Sequence, residues 1–145
     1  VKYDGLDKND FFGLWFDDVA GGKGSSHSRV PNFGLKEKQL FARFEVNQEG
    51  FSSELIDGEC FLLVGRVMKE ESSDFNRLEF WVNPDGDRSA TPDAVVQLGK
   101  GAKQLKAINV VGMRIGQYTE VSDSLFVDRL VIGKTFESVT QPVEN

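Results

Sequence analysis

Short segments in which apolar and polar side chains alternate recur along the whole chain, and helical periodicity is almost absent. Alternation with a period of two residues is typical of a β-strand with one buried face. Clusters of Gly, Asp, Asn and Ser separate the segments, as they do in turns between strands. The pattern therefore predicts an all-β, antiparallel fold. The segments are 1–4, 9–18, 39–46, 60–68, 77–83, 107–116 and 125–132.

The size and charge of the chain limit its organisation and its partners. With 145 residues, 12 Phe and 2 Trp, it suits a single domain, 1–145, with one core. The net charge of -6 argues against nucleic acid or an anionic membrane surface as partner, because both attract basic proteins. No apolar run approaches the roughly 18 residues of a membrane helix, so no membrane insertion is expected. A short helical turn is expected near residues 92–99.

The segment "LFVDRLVIGKTFESV" (125–139) predicts a strand with a carboxylate in its middle. Asp128 would share an otherwise apolar face with Phe126, Leu130 and Ile132. A buried charge is costly unless it is paired or hydrogen-bonded. Asp128 is therefore either a functional or a structural residue.

Five segments in order, "FFGLWFDD", "RVPNFGLK", "FLLVGRV", "RLEFWVNPDG" and "VDRLVIGKTFESVTQP", resemble the concanavalin A-like (laminin-G-like) jelly-roll domains of bacterial surface and secreted proteins. The resemblance implies two antiparallel sheets stacked face to face, one of them concave. It implies a structural role for Asp128. It also implies that the chain is the C-terminal part of a longer domain or protein and lacks the first strands. A sheet edge near Val1 to Asp4 would then be open to another polypeptide.

The sequence gives no support for catalysis, and we expect the protein not to be an enzyme. Laminarinase-like glycosidases of this fold carry a Glu-x-Asp-x-(x)-Glu strand, with the acid and the nucleophile on one face, and this chain has no such run. The one histidine, His27, lies in a Gly/Ser-rich stretch without a nucleophile motif.

Carbohydrate recognition is the sharper hypothesis, since sugars stack on exposed aromatic rings beside polar groups. Trp81 would share a strand face with Arg77, Glu79 and Asn83. Trp15 and Tyr118 are further candidates. The alternative is that Trp15 packs in the core and that Trp81 is a half-buried sheet residue.

Arginines recur within the predicted strands, and several of them on one face could bind an acidic polysaccharide, because guanidinium pairs well with carboxylate or sulfate. The alternative is a solvated face of cross-strand ion pairs. These arginines are Arg43, Arg66, Arg77, Arg114 and Arg129.

Calcium binding is a separate possibility at two acidic stretches. Asn83, Asp85 and Asp87 alternate as the first ligands of a calcium loop do, but the later ligand positions do not fit an EF-hand. The alternative is a polar hairpin loop. Asp17 and Asp18 form the second candidate.

Together these features favour a non-catalytic carbohydrate-binding or adhesion module that is extracellular or displayed on a cell surface. Its partner would be a glycan or cell-surface polysaccharide. The alternative function is a structural or assembly module whose sheet edge pairs with another chain or with another part of its parent protein.

Overall fold

The computed structural model describes residues 1–19, 29–45, 48–85 and 91–140, and these residues form an antiparallel all-β fold with one short helix. The all-β prediction is confirmed. The elements are β1 (Lys2–Asp4), β2 (Phe11–Asp17), β3 (Asn32–Lys36), β4 (Gln39–Glu45), β5 (Gln48–Glu54), β6 (Leu63–Met68), β7 (Arg77–Val82), β8 (Ala94–Gln97), β9 (Val110–Ile115), β10 (Ser124–Phe126) and α1 (Glu137–Thr140).

The ten strands form three sheets. A five-stranded sheet has the order β5-β4-β3-β2-β9, a three-stranded sheet the order β6-β7-β8, and β1 pairs with β10. Every pairing is antiparallel. Most neighbours are consecutive in sequence, whereas β2–β9 and β1–β10 join distant parts of the chain.

The core lies between the five-stranded and three-stranded sheets, which gives a sandwich-like architecture. Leu40, Ala42 and Phe44 alternate along β4 and are fully buried, as their spacing predicts. They belong to one apolar cluster with Leu78 and Phe80 of β7. Across the two sheets, the Phe33 and Phe80 rings meet edge to face at 4.6 Å between centroids.

β1 is hydrogen-bonded on both sides, because alternate residues of a strand bond in opposite directions. Lys2 and Asp4 lie in register with β10, while the backbone of Val1 and Tyr3 bonds to Phe61 and Gly58. Tyr3 is fully buried, and its hydroxyl donates to the Leu55 carbonyl at 2.9 Å. The open edge predicted at residues 1–4 is therefore wrong.

The strand predicted over 125–132 is also wrong beyond Phe126. The β10 ladder ends at the pair Lys2–Phe126. Asp128 lies after the ladder and is exposed rather than buried in an apolar face. Leu130 and Ile132, predicted on the same face, are 45% and 68% exposed.

Three strands were not predicted. The stretch expected to hold a helical turn contains β8 instead, in which Ala94 and Val96 are buried and alternate with exposed residues. β3 and β5 were assigned to no strand, and β5 begins within a stretch interpreted as a turn. In the described part of the chain, no helix has the length and apolar character needed to cross a membrane.

Candidate ligand-binding surfaces

The predicted polar face of β7 is present on the outer side of the three-stranded sheet. Arg77, Glu79 and Trp81 alternate along β7, and Arg66 of β6 lies opposite Glu79. Glu79 is buried and accepts hydrogen bonds from Arg66 Nε at 2.8 Å and Arg77 Nε at 2.6 Å. The bond to Glu79 is the main cause that raises the pKa of Arg77. Here the arginines form the cross-strand ion pairs that were the alternative to ligand binding.

The Trp81 ring is covered, so the prediction of an exposed stacking surface on β7 is wrong. Its side chain is only 3% exposed. The Phe136 ring meets it edge-on at 5.8 Å, and the Arg66 guanidinium lies 5.5 Å from the ring centroid. A sugar could reach Trp81 only after the Phe136 segment moves.

The other predicted residues near this sheet do not assemble into a site. Asn83 is exposed, and its Oδ1 accepts the Leu62 N–H at 2.7 Å, so that oxygen caps the backbone of a neighbouring strand. Asp85 is exposed, and Asp87 lies outside the described residues. Tyr118 is 60% exposed but lies in the β9–β10 connection, off both sheet faces. His27 also lies outside the described residues.

The second acidic candidate, Asp17 and Asp18, pairs with a lysine side chain of the same chain. The ammonium of Lys103 contacts Asp17 Oδ1 at 2.5 Å and also contacts Asp18. The hydrogen bond from Lys103 lowers the pKa of Asp18, and the bonds to both carboxylates raise the pKa of Lys103. These two carboxylates therefore pair with a lysine of the same chain.

A shallow groove with room for about one water molecule lies on the outer face of the five-stranded sheet, on the side of β2 that carries Phe11, Gly13 and Trp15. Glycines let aromatic rings lie against the centre of the sheet, because a Cβ on Gly13 would meet the Phe11 and Phe41 rings at 3.3 Å. Gly13 pairs with Gly34 on one side, and Trp15 pairs with Gly112 on the other. The lining residues are Phe11, Gly13, Trp15, Asn32, Arg43 and Arg114.

Gly112 explains the position of the Trp15 indole. A Cβ at residue 112 would lie 2.1 Å from the indole carbons Cε2 and Cζ2, so the ring rests directly against the β9 backbone. Trp15 is 9% exposed and packs with Val30 and Leu105, which agrees with its alternative assignment to the core. It therefore supports one end of the groove and exposes little of its ring.

Two arginines flank the groove, and their charges are compensated differently. Arg43 donates to Asn32 Oδ1 at 2.9 Å and to Glu49 Oε1 at 3.2 Å, so it has a carboxylate partner. Arg114 is exposed and its guanidinium lies 5.1 Å from the Phe11 ring centroid. Among the described residues, Arg114 forms no ion pair.

The groove is locally basic although the chain is acidic overall. Glu49 also accepts a hydrogen bond from Lys36 Nζ at 2.9 Å. Lys36 and Arg43 thus share the Glu49 carboxylate, whereas Arg114 pairs with no carboxylate among the described residues. An anionic group would complete this arrangement.

The structure distributes the predicted residues over two faces. Arg66, Arg77, Glu79 and Trp81 lie together on the three-stranded sheet, whereas Trp15 lies with Arg43 and Arg114 on the five-stranded sheet. Arg129 is exposed in the segment after β10 and joins neither group.

Phe11 and Asn32 were missed as lining residues. The signal that could have found the groove is the recurrence of glycine within strands, at Gly13, Gly34 and Gly112. Comparison of the chain with family profiles, curated proteins and solved structures finds no match.

Proposed function

We propose that this protein is a non-catalytic carbohydrate-binding or adhesion module of a secreted or surface-displayed protein, with a concanavalin A-like jelly-roll fold. Its ligand would be an acidic saccharide that lies over the outer face of the five-stranded sheet, with an anionic group at the groove. The observation that carries the proposal is Arg114, an exposed guanidinium beside an aromatic ring, without a carboxylate partner among the described residues.

The chemistry of the groove suits a carboxylated or sulfated sugar. A guanidinium presents parallel N–H donors that match a carboxylate or sulfate. Phe11, half-buried below Arg114, offers apolar surface for the C–H face of a sugar ring. Lys36 and Arg43 add positive electrostatic potential near the groove without contacting the ligand themselves. Affinity should therefore fall as salt is added.

The decisive experiment compares Arg114→Gln with Arg129→Gln on a panel of acidic and neutral polysaccharides. Both variants remove one exposed arginine, but only the first alters the groove. Loss of one charge-assisted hydrogen bond costs about 1.5–3 kcal/mol, so Arg114→Gln should weaken binding to acidic ligands by about tenfold or more. Arg129→Gln should bind as the wild type does.

Two results would refute the groove as the site. One is equal binding by the two variants, and the other is a preference for neutral polysaccharides that added salt does not alter. Arg66→Gln completes the comparison, because a selective loss of binding in that variant would move the site to the three-stranded sheet.

A second candidate function, pairing with another polypeptide, is favoured by the other end of the five-stranded sheet. In the described part of the chain, β9 has a partner strand on one side only. Met113 and Ile115 of β9 are 57% and 66% exposed and lie beside an apolar cavity that also contains Leu125 and Val127. Unpaired edges with apolar side chains favour strand addition.

Sedimentation over a concentration series tests this second candidate for self-pairing. We expect dimers that Met113→Lys abolishes, whereas a monomer at every concentration would exclude a second copy of the chain as the strand donor.

A further inference from the structure

Two loops far apart in sequence meet at one end of the five-stranded sheet. Since β1 pairs with β10 and β2 pairs with β9, the connections 5–10 and 116–123 run between the same two pairs of strands. Their contact is close, because a Cβ on Gly5 would lie 2.8 Å from Asp123 Oδ1. The Gly116 N–H also donates to the Phe11 carbonyl at 2.7 Å, where the first loop ends.

The meeting point brings three carboxylates together. Asp7, Asp10 and Glu120 each place an oxygen within 4.8 Å of the other two. Oxygens that bind Ca²⁺ lie about 2.4 Å from the ion, so two ligands on opposite sides of it are about 4.8 Å apart. The spacing of the three groups therefore fits around a single ion.

Asp10 provides independent evidence that a cation belongs here. The residue is fully buried, and its Oδ2 accepts the Asp7 N–H at 2.8 Å. Its other oxygen, Oδ1, is buried without any hydrogen-bond partner. In the described residues, none of the three carboxylates forms an ion pair with a lysine or an arginine. A buried carboxylate in such surroundings is costly unless a cation compensates it.

A second buried polar atom, in the loop that carries Glu120, is also unsatisfied. Thr119 Oγ1, adjacent to Glu120 in the chain, is buried and has no hydrogen-bond partner. The position of Glu120 is fixed by its neighbour, because the Glu120 N–H donates to Asp123 Oδ2 at 2.7 Å. Asp123 thus holds the second loop in the conformation that directs Glu120 toward the first.

We infer that Asp7, Asp10 and Glu120 bind a calcium ion that fastens the loop 5–10 to the loop 116–123. The donors are all oxygens, which suits a hard cation and disfavours zinc or copper. Calcium fits better than magnesium because the carboxylates come from two separate loops rather than from a rigid octahedral frame. Water would complete the coordination.

The test uses the whole chain, with CaCl₂ as the only added ligand and NaCl at matched ionic strength as the blank. Binding is measured by calorimetric titration, and stability by thermal unfolding in about 10 mM CaCl₂ or in chelator, a concentration above the weakest usual calcium dissociation constants. The variants are Asp10→Asn and Glu120→Gln. Glu59→Gln is the matched control, because Glu59 is exposed and lies outside the cluster.

Calcium should reverse the order of thermal stability between the wild type and Asp10→Asn. In chelator this variant should unfold at the same or a higher temperature than the wild type, since it removes an uncompensated buried charge. In CaCl₂ the order should reverse, because only the wild type gains from the ion. Glu120→Gln should weaken calcium binding about tenfold or more, as expected when a charged ligand is lost, and Glu59→Gln should bind normally.

Two outcomes would overturn the inference. The first is a wild-type chain that shows neither heat of binding nor a rise in unfolding temperature with CaCl₂. The second is calcium binding of equal strength in Glu59→Gln and Glu120→Gln. Glu120 is exposed, so its variant is expected to fold and the test does not depend on Asp10→Asn alone.

Discussion

The phenol of Tyr3 should make the protein sensitive to alkaline pH. Burial, followed by the negative charges of Asp57 and Glu54, raises the pKa of Tyr3 from 10.0 to about 12. The folded state therefore favours the neutral phenol, which donates to the Leu55 carbonyl. This contribution is fully present below pH 10 and is lost as the pH rises through about 12.

The size of the effect follows from the shift. Two pK units correspond to about 2.7 kcal/mol of unfolding free energy. Tyr3→Phe removes the titrating group and also the hydrogen bond to Leu55, which costs about 1 kcal/mol at neutral pH. We therefore expect the wild type to be more stable than Tyr3→Phe at neutral pH and less stable near pH 12.

Urea denaturation of both chains across this pH range measures the difference directly. Other groups that titrate in alkali contribute equally to the two chains, so their effects cancel in the difference. If the stability difference between wild type and Tyr3→Phe stays constant with pH, the argument that Tyr3 is buried in neutral form is refuted.

Two further predictions concern the two tryptophans. Phe136→Ala should uncover the Trp81 indole, so the fluorescence emission should shift to longer wavelength and acrylamide should quench it more strongly. Adding Trp81→Phe should remove the shift. An unchanged spectrum in Phe136→Ala would contradict the covering role of Phe136. Gly112→Ala should destabilise the fold by about 1–3 kcal/mol, because the new methyl group would overlap the Trp15 indole. Chemical denaturation measures that loss of stability. If Gly112→Ala is as stable as the wild type, the Trp15 indole is free to move.

Alternation along single strands was enough to predict which faces of the main strands are buried. Leu40, Ala42 and Phe44 were placed correctly on the inner face of β4, and Glu79 and Trp81 were placed together on one face of β7. These assignments depend only on the two-residue period of a strand, which is local information.

Exposure and proximity were not predictable in the same way, because they depend on distant residues. Trp81 is covered by Phe136, and no residue near Trp81 in the sequence predicts this contact. Asp10 and Glu120 meet only because strand pairings bring two remote loops together. The segment after Phe126 has the alternation of a strand, yet the ladder ends at the pair Lys2–Phe126.

The pairing of β1 with β10 has a consequence for the time course of synthesis. Lys2–Asp4 is synthesised before its partner Ser124–Phe126, which follows about 120 residues later. At about 5–20 residues per second, the first strand waits about 6–24 s before its ladder can form. During that interval Tyr3, which ends fully buried, has no completed site to occupy. The nascent chain must therefore carry a strand without its β10 partner, and any factor that shields it would act in this interval.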